Sequence, residues 1–220
     1  LTESVLRRFL PNSLVQKAAD GELQLDLKPE PRLVTIVFSD IVSFTPLSDR
    51  LGPRRLAQVL NEYLEAMTDA IFASQGTVDK FMGDGVMALF GAPEELSPSA
   101  QAHHAIAAVE RMYKALHTLN QHWQAQGMEA LHIRCGIHQG DAVVGMFGSS
   151  VRADYTAIGP CVNVAARLQE AAEPDSVLLS ADVAQHLPAD RLGDLKSVAL
   201  RGVQAPMLAS ILRFQSPVHP

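Results

Sequence analysis

Residues 33–38, LVTIVF, are apolar at nearly every position, and this short run limits the fold more than any other feature of the chain. Six residues are too few for a buried helix, and the run lacks the polar alternation of a half-exposed strand. It reads as a strand covered on both faces, which calls for structure above and below a sheet. The rest of the chain supplies it. From Arg54 onward, Leu56, Val59, Leu60, Tyr63, Leu64, Met67 and Ile71 recur at helical spacing, and Gly76 marks a stop. TVDKF (77–81) and VMALFG (86–91) are strand-like runs around Met82-Gly83-Asp84-Gly85, a hairpin signal.

A proline-rich loop at 92–98 leads into a long helix over 99–126. LHIRCGIH (131–138) alternates with period two, and DAVVGMFG (141–148) reads as its hairpin partner. A helix over 159–172, approached by Asp154 to Ile158, precedes a strand at 177–180, a short helix at 181–187 and closing strands at 193–201 and 207–214. The order predicts an α/β (α+β) fold, a mixed sheet with helices packed over it. Residues 1–28, with Val5, Leu6, Phe9 and Leu10 at helical spacing, read as a helical lead-in that ends at KPEPR (28–32). The expected division is therefore a lead-in at 1–28, one domain at 29–215 and a tail at 216–220.

Composition narrows the function classes. A hydrophobic share of 47% and a charged share of 19% are those of a folded globular chain. The formal net charge of −6 argues against an electrostatic grip on nucleic acid. No apolar stretch approaches the roughly 18 residues that cross a bilayer. Cys135 and Cys161 lie inside apolar runs without metal-ligand spacing, which points to a reduced interior and a cytoplasmic domain. The chain begins at Leu1, so any membrane anchor or sensor is expected upstream.

Three constellations carry possible chemistry. In FSDIVSFT (38–45) a buried strand delivers Asp40 to a loop of small and polar residues, where an acid binds a hard cation or merely caps a turn. In DKFMGDGVMALFG (79–91) Asp84 sits at a hairpin tip, and two acids at the tips of apolar β segments would hold the metal ions that phosphoryl transfer needs. Lys80, inside a strand among Val78, Phe81 and Met82, must reach water or meet an acceptor. In DYTAIGPCVNVAARLQEA (154–171) Asn163 and Arg167 are four apart, on one face of a helix, able to orient a polar substrate and meet phosphate charge. Each alone has a bland reading as turn or surface. His103, His104, His117 and His122 lack acids or cysteines at matching spacing and read as a solvated helix face.

Taken together, FSDIVSFT, VDKFMGDGVMALFG, GIHQGDAVVGMFG and DYTAIGPCVNVAARLQEAA resemble the class III nucleotidyl cyclases in order and spacing, over residues 30–214. Within that family the chain is most similar to bacterial adenylyl cyclases of the subtype related to mammalian soluble adenylyl cyclase. The resemblance implies a palm-type, ferredoxin-like core with a mostly antiparallel sheet, ATP as substrate and a homodimer with shared sites. It implies two Mg2+ or Mn2+ ions per site, held by Asp40, Asp84 and the Ile41 backbone carbonyl. It makes Lys80 and Thr156 the base-reading pair, Asn163 the ribose-orienting residue and Arg167 the transition-state arginine. Arg201 falls at a phosphate-binding position where lysine is usual, Arg152 aligns loosely as a triphosphate contact, and Phe44 and Thr45 lend backbone amides to the phosphates. Bicarbonate regulation is implied through Thr156 alone. No side chain is identified as a general base. A guanylyl cyclase and a catalytically silent dimerisation module are the rivals; Lys80 argues against the first, and intact Asp40, Asp84, Asn163 and Arg167 against the second.

Overall fold

The structure, a computed structural model, describes residues 3–8, 10–22 and 27–215. The apolar run lies within β1 (Glu30–Ile41). The remaining strands are β2 (Thr77–Met82), β3 (Gly85–Phe90), β4 (Ile133–Gly148), β5 (Ala153–Ile158), β6 (Val177–Ser180), β7 (Lys196–Val198) and β8 (Met207–Ile211). They form one sheet in the order β2-β3-β1-β4-β6-β8-β7, with β5 paired to β4. Its strand pairs are antiparallel apart from β4 with β6.

Both faces of β1 are covered, as the run of apolar residues requires. Val37 and Ile41 pack toward α3 (Phe44–Ala73) and α4 (Pro98–Ala125), in a cluster that includes Tyr63, Met67, Met112 and Trp123. Val34, Ile36 and Phe38 pack on the opposite face with Tyr155 and Ala157 of β5 and with Cys161 and Ala165 of α5 (Pro160–Ala171). α5 sits very close to β4. A methyl group on Gly136 would lie 2.2 Å from the Gln169 backbone nitrogen and 2.7 Å from the Ala165 carbonyl oxygen, so only glycine permits that contact. The short helix α6 (Ala181–Ala184) follows β6 directly, and α1 (Glu3–Leu6) with α2 (Asn12–Ala19) makes a small separate cluster around Leu10, Leu14 and Val15. Among the described residues no helix is long and apolar enough to cross a membrane.

Three local expectations are corrected. The hairpin expected from 131–138 and 141–148 is one continuous strand, β4, and its hairpin partner is β5, over the segment expected only to approach a helix. Within that strand Gly140 makes room for Cys161, whose Cβ would lie 2.9 Å from an added methyl. The segment after Asp40 is not a loop: α3 starts at Phe44 and breaks at Gly52 (φ 73°, ψ 165°), where the helix expected from Arg54 takes over. The strand expected at 193–201 is confined to Lys196–Val198.

Candidate active site

Asp40 is the penultimate residue of β1, and its cross-strand neighbour on β4 is Arg134. That register puts the guanidinium on the carboxylate: Arg134 Nε donates to Asp40 Oδ1 at 3.0 Å, while its Nη1 donates to the Glu170 carbonyl at 2.8 Å. Asp84 occupies the β2–β3 turn after Gly83, whose positive φ of 64° reverses the chain. Asp84 Oδ2 accepts from the Ile41 backbone amide at 2.9 Å, which brings the hairpin tip to the end of β1. Burial pushes the Asp84 carboxyl above its ordinary value; the Ile41 amide opposes this, and the negative charge of Asp40 adds to it.

Among the described residues no three His, Cys, Asp or Glu side chains gather into a metal-binding group. Asp40 and Asp84 would give two carboxylates and leave the other positions to water and phosphate oxygens, the donor set that magnesium favours beside a nucleotide. The residues present fit a substrate-borne Mg2+ or Mn2+. Beyond Ile41 the chain turns through Ser43 in the left-handed region (φ 55°), and no Ser43 side-chain bond caps α3. The amides of Phe44 and Thr45 therefore open the helix as groups suited to phosphate oxygens.

A cleft of about 580 Å³ opens beside Asp40, lined by Arg134, Arg167, Glu170, Leu200 and Arg201 among others. Arg167 Nη1 pairs with Glu170 Oε1 at 2.6 Å, and Arg201 Nη2 lies 3.4 Å from the same oxygen. Asn163 is exposed one turn before Arg167 on α5, whose other face buries Cys161, Ala165 and Leu168. Asp40, Arg167 and Arg201 of one chain thus surround one opening. Arg152 does not join them: it lies in the exposed turn after β4, at the far end of that strand from Asp40.

A second group forms where β5 meets the β2 edge. Thr156 Oγ1 donates to Asp79 Oδ2 at 2.7 Å, and Lys80 Nζ stands 3.7 Å from Asp79 Oδ1. Lys80 and Thr156, far apart in sequence, share one carboxylate. The β2–β3 register passes from Val78↔Ala88 to Lys80↔Met87, so Asp79 is the extra residue of a bulge.

Sequence reading missed Arg134, Glu170 and Asp79. Arg134 is legible only once β1 and β4 are paired in register, and Asp79 looked like one more polar residue beside Lys80. Two strand histidines are tied to neighbours: His132 Nδ1 meets Asp175 Oδ2 at 2.7 Å, and buried His138 Nδ1 meets Ser180 Oγ at 2.8 Å.

Comparison with known proteins assigns the chain to a family. A family model, the adenylate and guanylate cyclase catalytic domain, matches residues 28–211. Adenylate cyclase 1 of Rhizobium meliloti is 34% identical over 161 residues, which cover 73% of this chain and 24% of that protein. The adenylate cyclase of Anabaena cylindrica is 34% identical over 168 residues, covering 74% and 32%. The chain thus spans a quarter to a third of these relatives' length. The crystal structure of the adenylyl cyclase CyaB from P. aeruginosa superposes with a TM-score of 0.81 at 35% identity, over 88% of this chain and all of that one. The guanylyl cyclase Cya2 gives 0.78 at 33%, over 84% and 93%. With two acids at the ends of β1 and a β hairpin, a helix that carries an amide and a guanidinium on one face, and a family match across most of its length, the chain belongs to the adenylate and guanylate cyclase catalytic-domain family.

Proposed function

We propose that this chain is the catalytic domain of an adenylyl cyclase that converts ATP to 3′,5′-cyclic AMP and pyrophosphate. The observation that carries the choice of ATP is the Lys80–Asp79–Thr156 group: a donor and a hydroxyl held side by side, suited to an adenine edge. Bound divalent ions would supply Lewis-acid stabilisation of the attacking 3′-oxygen and of the leaving phosphates. Asp40 and Asp84 would hold those ions, with the Ile41 carbonyl beside them. Asn163 orients the ribose, and Arg167 meets the charge that grows on the α-phosphoryl oxygens during in-line attack. Arg201, Arg134 and the amides of Phe44 and Thr45 offer further positive groups to the phosphates, with Arg152 the outermost candidate.

Lys80 precedes Asp84 by only four residues on one hairpin, yet base and phosphates lie at opposite ends of ATP. A homodimer resolves this: one chain supplies Asp40 and Asp84, and its partner supplies the base-reading pair, the amide and Arg167. The likeness to Cya2 favours a second reading, a guanylyl cyclase, against which Lys80 stands. Incubation of the purified domain with ATP or GTP and magnesium or manganese, with identification of the cyclic product, decides between them. Cyclic AMP as the main product is expected; cyclic GMP as the main product overturns the ATP reading.

A further inference from the structure

Asp79 is an acid to which the reaction above assigns no step of its own. Its side chain has no exposed surface. Oδ2 accepts a hydrogen bond from the Thr156 hydroxyl, while Oδ1 is buried without a hydrogen bond, with Lys80 Nζ in ion-pair range. Burial pushes this carboxyl up, and Thr156 and Lys80 act against that by favouring the ionised form. An ionised carboxylate only accepts, so the proton of Thr156 is committed to Asp79 and its lone pairs are what remain for a ligand. Lys80, an ammonium, only donates.

We propose that Asp79 determines nucleotide choice by fixing Thr156 as a hydrogen-bond acceptor beside the donor Lys80. The proposal rests on the adenylyl cyclase reading and goes beyond it. Adenine offers an amino donor at C6 and an acceptor at N1, which match an acceptor and a donor. A 6-oxopurine offers the reverse, an oxygen at C6 and a proton on N1. A free threonine hydroxyl would turn to donate to that oxygen and would discriminate little. Tied to Asp79, it presents lone pair to lone pair, and a buried polar group left unpaired is costly. The bulge supports this role, since the extra residue is the one whose carboxylate lies covered between buried Val78 and exposed Lys80.

The test is steady-state kinetics with ATP and inosine triphosphate, which carries the 6-oxo group and N1 proton without a 2-amino group. Asp79→Asn can donate or accept toward Thr156, so the ratio of kcat/KM for ATP over inosine triphosphate should fall about tenfold. Thr156→Ser, which keeps the hydroxyl, should hold the wild-type ratio. A purely structural role would lower both nucleotides together, so an unchanged ratio in folded Asp79→Asn overturns the proposal. If that variant does not fold, Thr156→Val answers the same question. A locked acceptor predicts that ATP loses and inosine triphosphate gains, whereas an equal loss for both overturns it. Wild-type preference for the 6-oxopurine defeats this proposal and the ATP reading together. Wild-type preference for ATP with an insensitive ratio defeats this proposal alone.

Discussion

Around Asp40 the charged groups stand on partly exposed side chains that reach into an open cleft, Arg201 being 76% exposed, whereas Asp79 between Lys80 and Thr156 is fully covered. Under the proposed function the two regions face different tasks. Triphosphate and metal ions bring strong charges of their own, and arginines that swing from a surface carboxylate such as Glu170 can follow them at little cost. A base is neutral, and its edge is read by hydrogen bonds whose direction matters. Those discriminate only where water does not compete, so their donors and acceptors must be set in advance.

The largest expected effect lies on the charged side. Asp40→Ala should lower turnover by roughly 100-fold or more, since a metal clamp supplies several kcal/mol to the transition state. Circular dichroism should show the fold intact. A folded variant with a tenth of wild-type turnover would remove Asp40 from the metal site.

Complementation sharpens which chain each group serves. Asp40→Ala and Arg167→Ala homodimers should each be inactive. After subunit exchange about half the dimers are mixed, one of their two sites carries both lesions and the other none, so roughly a quarter of wild-type activity should return. If exchange is demonstrated and nothing returns, Asp40 and Arg167 work within one chain, as their shared cleft in the monomer allows.

On the base side, Lys80→Glu replaces a donor by an acceptor and should raise the GTP:ATP ratio of kcat/KM about tenfold, without full conversion while Thr156 stays. A ratio that does not move would take Lys80 out of base reading. Gly136→Ala tests whether the two regions are separable. The added methyl should cost about 1–3 kcal/mol as α5 is forced off β4. Because α5 carries Asn163 and Arg167, turnover should drop while the GTP:ATP ratio holds; a changed ratio would show that the ends are coupled.

The smallest effect is on the pH dependence of the metal-free fold. With its carboxyl raised above the ordinary 3.8, Asp84 binds more protons folded than unfolded between 3.8 and its own higher value. Its contribution to stability therefore falls as pH rises through that window. Asp84→Asn, which still accepts from the Ile41 amide, should make the thermal midpoint depend less on pH there, and an identical profile would contradict the shift.

Much of this was legible in the chain. The continuous apolar run, the Gly-Asp-Gly tip and the i, i+4 spacing of Asn163 and Arg167 report local physics, and local physics determines those elements. What failed depended on packing. Gly140 serves a helix that crosses β4, and nothing near it in sequence distinguishes that from a turn. Strand β5 is six residues abutting a helix, too short for alternation to declare itself. Arg134 and Asp79 acquire their meaning from partners 94 and 77 positions away.

The bulge in β2 makes the proposed base-reading group depend on count as well as on identity. A strand has a two-residue rhythm, and one additional residue advances it by half a cycle, so everything from Lys80 to the hairpin tip is out of phase with Thr77 and Val78. Replacing Asp79 leaves that phase alone and alters only the chemistry of one carboxylate. Deleting it would restore the rhythm and leave Lys80 opposite Met87, on the face it already has, without the carboxylate to which Thr156 donates. A single deletion in β2 would therefore keep the lysine in place and release the threonine hydroxyl, however conservative the residues that remain.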